Sequence, residues 1–185
     1  MMAKRSVSLD AIKALREKTS ASLNDVRKAL EAAEGDEAKA LAWLRQRGAH
    51  MAQARQDRAT GQGRVESYIH HDGRLGAVVE VNCETDFVAR TPEFAQFCRD
   101  VAMHVAAMNP RYVRKEDAGS SAPRDADSVK ALCLLEQPFV KDQGTTINHL
   151  LEGLIAKTGE RVVIRRFARF AVGEALPPAA SGACA

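Results

Sequence analysis

The chain has 185 residues, of which 45% are hydrophobic and 28% charged, and its formal net charge is +3. A chain of this size and balance buries a core without disulfide staples, as one domain or two small ones. The small positive excess does not by itself require a nucleic-acid partner. No apolar run is long enough to span a bilayer, so no membrane partner is expected.

The first segment, Met1-Met2-Ala3-Lys4-Arg5-Ser6, is basic, but no apolar signal segment follows. Acidic Asp10 and Glu17 argue against a transit peptide, and the protein is expected to be cytoplasmic. Residues 8–48 read as three short helices. The first spans about Leu9 to Lys18, with Leu9, Ile12 and Leu15 at helical spacing and Ser8 as N-cap. The second runs from about Leu23 to Ala33. Ser22 caps it, Asp25 sits in its first turn, and Gly35 follows as a stop signal. The third starts after Asp36, and Gly48 is expected to end it. Helices this short must pack on one another, and Ile12, Leu15, Val26, Leu30, Leu41 and Leu44 are the expected shared core. The division expected is a three-helix docking module over residues 1–50, a polar linker over 51–62, an α+β core over 63–175 and a disordered tail over 176–185. Arg45, Arg47, His50, Arg55, Arg58 and Arg64 form a basic stretch across the linker. Without interleaved aromatics it offers no base stacking, and it reads as a solvated, partly helical connector.

The run Arg64–His70 alternates weakly, His71-Asp72-Gly73-Arg74 supplies a turn, and Leu75–Asn82 returns, which together predict a hairpin. Thr91-Pro92-Glu93 opens a helix to about Ala107, whose Phe94, Phe97, Cys98, Val101 and Val105 form a stripe able to cover one face of a sheet. Between strand and helix lies the short connection Thr85 to Val88, the kind of segment in which function commonly resides. Pattern alone leaves Phe87 two places, folded into the core or projecting as an aromatic anchor for a partner. Residues 118–123 read as a loop, and a short helix is predicted over about Ser128 to Glu136. A further helix, capped by Thr145 or Thr146, is predicted over Ile147–Lys157, with Gly159 as its stop, and Val162–Phe170 as a strand that completes the sheet.

None of the four cysteines (Cys83, Cys98, Cys133, Cys184) forms a Cys-x-x-Cys pair or lies at zinc-site spacing, so reduced thiols and no metal are expected. No general base, nucleophile or cofactor motif stands out, and the chain is not expected to be an enzyme. The sequence offers two other readings. Arg45–Arg64 and Arg161–Arg169 raise RNA binding, with the strand arginines equally sensible as edge protection. Cys83 with His70 or His71 raises a thiol hydrolase, but adjacent histidines at a hairpin are expected to point to opposite faces.

Tyr68-Ile69-His70, Gly73, Gly76 and the unbroken run Val79-Glu80-Val81-Asn82-Cys83-Glu84-Thr85-Asp86-Phe87-Val88-Ala89 resemble the signature of the elongation factor Ts family, guanine-nucleotide exchange factors for elongation factor Tu. Leu134–Asp142 and Asn109–Val113 are also similar to the family. The resemblance implies that Thr85, Asp86, Phe87 and Val88 press on the partner near its magnesium-binding loops. Asp86 and Phe87 would be the effectors, with Thr85 and Val88 shaping the element. It also implies that the helical module docks on the partner's nucleotide domain, and Leu23, Asp25 and Lys28 are the candidates there. Thr19, Ala21, Asp25, Lys28, Ala29 and Leu30 match the family's pattern, whereas Ser20, Ser22, Leu23 and Asn24 replace its glycines and methionines. With no heptad run for a coiled-coil arm and little between Tyr112 and Gln137, the chain resembles the short form of the family, for which a homodimer is the expectation.

Overall fold

A computed structural model describes residues 7–19, 21–121, 123 and 125–175. Ser20, the expected tail and Cys184 lie outside the described residues. Three helices open the chain: α1 (Leu9–Thr19), α2 (Leu23–Ala32) and α3 (Glu37–Gln53). Each starts where a short polar side chain satisfies a free amide: Ser8 for α1, Ser22 for α2 and Asp36 for α3. Ile12, Leu15, Val26, Ala29, Leu30, Ala33 and Ala40 form their buried core, with Leu41, Trp43 and Leu44 partly buried around it. Leu9 continues the sequence stripe but is exposed.

Gly48 does not end the third helix. The helix continues to Gln53 because Gly48 is the point at which α3 presses on a later helix, α7 (Ile147–Thr158). A Cβ there would lie 3.3 Å from both the Cβ and the carbonyl oxygen of Glu152. The missing side chain serves close approach, not helix termination. Met51 and Ala52, beyond the glycine, pack on the second core, so one helix belongs to both clusters.

Strands β1 (Gln62–Ile69), β2 (Leu75–Cys83) and β5 (Val162–Ala171) form an antiparallel sheet with β2 in the middle. Alternation along β2 sends Ala77, Val79, Val81 and Cys83 to the inner face. There they meet Phe94, Phe97, Cys98, Val101 and Val105 of α5 (Pro92–Met108), the stripe read from the sequence. Ile147, Leu151, Leu154 and Ile155 of α7 complete this core. A bulge opposite Glu80 lets two successive arginines, Arg165 and Arg166, reach its carboxylate at 3.5 and 2.6 Å. On the outer face of the sheet, Val65, Ile69, Val78 and Phe170 are exposed.

Two parts of the last third differ from expectation. The helix expected to reach Glu136 is instead α6 (Ala126–Leu132), an extended Cys133 and a single 3-10 turn, Leu134–Glu136. The amides of Leu134 and Leu135 donate to the carbonyls of Tyr112 and Val113, and this pairing displaces the helical ladder. A small second sheet, β3 (Pro138–Phe139) with β4 (Asp142–Thr146), had no alternating pattern to announce it. Behind it His104 is fully buried. The Val140 amide donates to its Nδ1 at 3.2 Å, and its Nε2 donates to Gln137 Oε1 at 2.9 Å.

Candidate functional site

The connection after β2 is itself a helix, the single turn α4 (Asp86–Ala89), with Thr85 in an extended conformation as its N-cap. Helical rotation of about 100° per residue divides the turn. Val88 and Ala89 pack on the core, while Phe87 faces outward with 79% of its surface exposed. The alternative of a core Phe87 is thereby excluded. Asp86 and Arg90 form an ion pair of 3.0 Å on the solvent side of the turn.

Threonines close both ends of this element. Thr85 Oγ1 accepts from the Val88 amide at 3.4 Å. Thr91 donates from its hydroxyl to the Val88 carbonyl at 2.8 Å and caps α5 by accepting from the Phe94 amide. Contacts from the distant end of the chain reinforce the first cap. Glu160 accepts from the Thr85 amide at 3.0 Å and from its hydroxyl at 2.6 Å. Beside it, Glu84 accepts from the Arg161 amide at 2.6 Å and pairs with Arg58 at 3.1 Å. The Arg161 amide bond, followed by the Arg58 guanidinium, holds the Glu84 carboxyl below the usual carboxylate range. Glu160 had no local motif to mark it, and Arg58 and Arg161 stood out only as members of the basic runs.

Cys83, two residues before the turn, is buried and donates to the Thr85 carbonyl at 3.1 Å. Burial, helped by the charge of Glu160, pushes its thiol up to about 11, the wrong direction for a nucleophile at neutral pH. His70 bonds the Tyr68 hydroxyl at 3.0 Å and makes no hydrogen bond to Cys83. The rings of His70 and His71 lie 4.2 Å apart and not on opposite faces, because β1 ends at Ile69 and its alternation stops there. Among the described residues, no group of three or more His, Cys, Asp or Glu side chains is placed to hold a metal ion.

Several of the arginines on which RNA binding would rest are engaged within the chain. Arg47 pairs with Asp25 at 2.8 Å and Arg64 with Glu66 at 2.8 Å. Arg55 donates to the Gly159 carbonyl and Arg169 to that of Ala106. A recess of about 670 Å³ between α3, α5 and α7 is lined by Leu44, Phe97 and Leu154, and none of Thr85–Val88 borders it.

The module candidates lie apart from the turn, on α2. Leu23 and Lys28 are exposed. Asp25 is turned onto its own module, where it accepts from Ser22 Oγ at 2.9 Å and pairs with Arg47. No described helix is long and apolar enough to cross a membrane.

Residues 5–127 match the family described as Elongation factor TS. Elongation factor Ts of Methylacidiphilum infernorum is 43% identical over 194 residues, spanning 91% of this chain and 96% of its own length. The protein of the same name from Rubrobacter xylanophilus is 42% identical over 189 residues, with 88% and 97% covered. That from Solidesulfovibrio magneticus is 43% identical over 195 residues, with 91% and 98% covered. An α+β fold that opens with three helices, an intact signature around Phe87 and near-complete overlap with these relatives agree: the chain belongs to the elongation factor Ts family of translation elongation factors.

Proposed function

We propose that the chain is a guanine-nucleotide exchange factor that binds elongation factor Tu carrying GDP, disturbs its magnesium site and promotes GDP release so that GTP can rebind. The observation that carries this reading is the placement of Phe87: a large aromatic held out in solvent on a turn braced from both ends. An aromatic anchor of this kind fills a partner pocket. Asp86 beside it reorganises groups around the partner's metal, its tie to Arg90 being exposed and therefore weak. Magnesium neutralises the phosphates of a bound nucleotide, so displacing its ligands weakens GDP binding. Linkage makes the effect reciprocal, and fresh nucleotide in turn expels the factor. The process is an exchange of binding free energies. It needs no nucleophile or cofactor of the chain's own, and the chain acts in the cytoplasm as a binding protein, not an enzyme.

Release of a fluorescent GDP analogue from elongation factor Tu, followed by stopped flow, tests the proposal. The chain accelerates release, and Phe87→Ala lowers the acceleration by about 30-fold, the size expected for losing an anchor worth about 2 kcal/mol. No acceleration by the unaltered chain overturns the reading.

A homodimer is the second part of the proposal. Val65, Ile69, Val78 and Phe170 expose apolar side chains on the outer face of the sheet, beside the Glu80–Arg166 ion pair, a patch that a second copy covers isologously. A single monomeric species at micromolar concentration in sedimentation overturns it.

A further inference from the structure

We propose that Glu160 is a positioning residue for exchange: its carboxylate fixes the direction in which α4 presents Asp86 and Phe87. This rests on the exchange-factor reading above. A helix of one turn cannot hold itself, because nucleation costs more than so few hydrogen bonds return. The outward half of α4 has no packing to orient it, since Phe87 lies in solvent. Its direction is therefore set where it begins, at Thr85.

The last paired residues of β2 and β5 are Cys83 and Val162. Beyond them the two segments remain joined, but by side chains. The Arg161 amide donates to the Glu84 carboxylate at 2.6 Å, and the Thr85 amide donates to the Glu160 carboxylate at 3.0 Å. Two carboxylates thus take the places that main-chain carbonyls occupy in a continuing ladder. The exchange leaves the Thr85 carbonyl to accept from the Ala89 amide at 3.3 Å, which closes the turn of α4. It also sets the Thr85 hydroxyl. Its one proton goes to Glu160 at 2.6 Å, so a lone pair is turned to the Val88 amide. The negative charge of Glu160 at the start of α4 adds to the cap.

Glu160 is itself held in place. It follows Gly159, the left-handed C-cap of α7, and its amide donates to Thr158 Oγ1 at 3.3 Å. Arg55, just beyond α3, donates to the Gly159 carbonyl at 2.8 Å. The position of the effector turn is thereby referred to α7 and α3, two helices fixed in the core, instead of to the loop that contains it.

Titrating the chain against elongation factor Tu loaded with fluorescent GDP separates the maximal release rate from the half-saturating concentration. Glu160→Ala lowers the maximal rate by about tenfold, the effect of losing a charged cap, and leaves half-saturation unchanged. Glu160→Gln retains the acceptor for the Thr85 amide and keeps more of the rate. Thr85→Val in the Glu160→Ala background adds less than it does alone, because the two residues act as a unit. Amide hydrogen exchange of Val88 in the free protein becomes faster in both Glu160 variants, and Thr85→Ser restores neither loss. An unchanged maximal rate, additive losses at Glu160 and Thr85, or a rise in half-saturation alone overturns the proposal. If the unaltered chain does not release GDP, the exchange reading has failed, and unaltered Val88 exchange in Glu160→Gln then overturns the positioning role on its own.

Discussion

Helices α2 and α4 begin alike and are held differently. Each has a hydroxyl side chain as N-cap, Ser22 or Thr85, and an aspartate in its first turn. Over its ten residues α2 buries Val26, Ala29 and Leu30, and hydrophobic packing fixes it. Over its four residues α4 has no fully buried side chain and depends on a carboxylate from a residue 75 positions away. A cap starts both helices, but only one can be placed by its own sequence. This turn takes its position from the rest of the molecule, so its outward side chains remain free of structural duty.

The comparison can be broken most forcefully at Leu30. Leu30→Ala removes a buried anchor and lowers stability by about 2–5 kcal/mol, read from urea denaturation. Protection of the Val79 and Val81 amides in β2 should survive in conditions where α2 has opened. If both regions lose protection together, the two cores are not separable. Phe87→Ala is the converse case. Because the ring is 79% exposed, its loss should change stability by no more than about 0.5 kcal/mol while reducing nucleotide release about 30-fold. A marked fall in thermal midpoint would mean that the ring carries structural load. The smallest effect belongs to the local cap. Ser22→Ala should cost about 1 kcal/mol, confined to α2, and leave the maximal release rate at wild-type level. A change in that rate would show that the module's cap also shapes the effector turn.

Much of the fold was legible because its signals are local. Asp72-Gly73 between alternating runs marked the hairpin, Thr91-Pro92 marked the start of α5, and the stripe from Phe94 to Val105 marked its buried face. The outward placement of Phe87 was not legible from pattern, which left it free to point either way, and the roles proposed for it and Asp86 come only from the family resemblance. What stayed hidden depends on contacts distant in sequence. Gly48 looks like a helix stop until Glu152 is seen against it. Glu160 looks like an ordinary charge after a helix end until Thr85 is found beside it. His104 looks like one more polar position of α5 until Gln137 and Val140 close around it.

Helix α3 has a further consequence. Its 17 residues give a rod of about 25 Å, seated at one end among α1 and α2 and at the other against α7. The rod is a gauge: it fixes how far apart, and at what azimuth, the two cores lie. Adding or removing a single residue within it would swing one end by about 100° relative to the other. Its length is therefore constrained by the two packing sites at its ends more tightly than the identity of most residues along it.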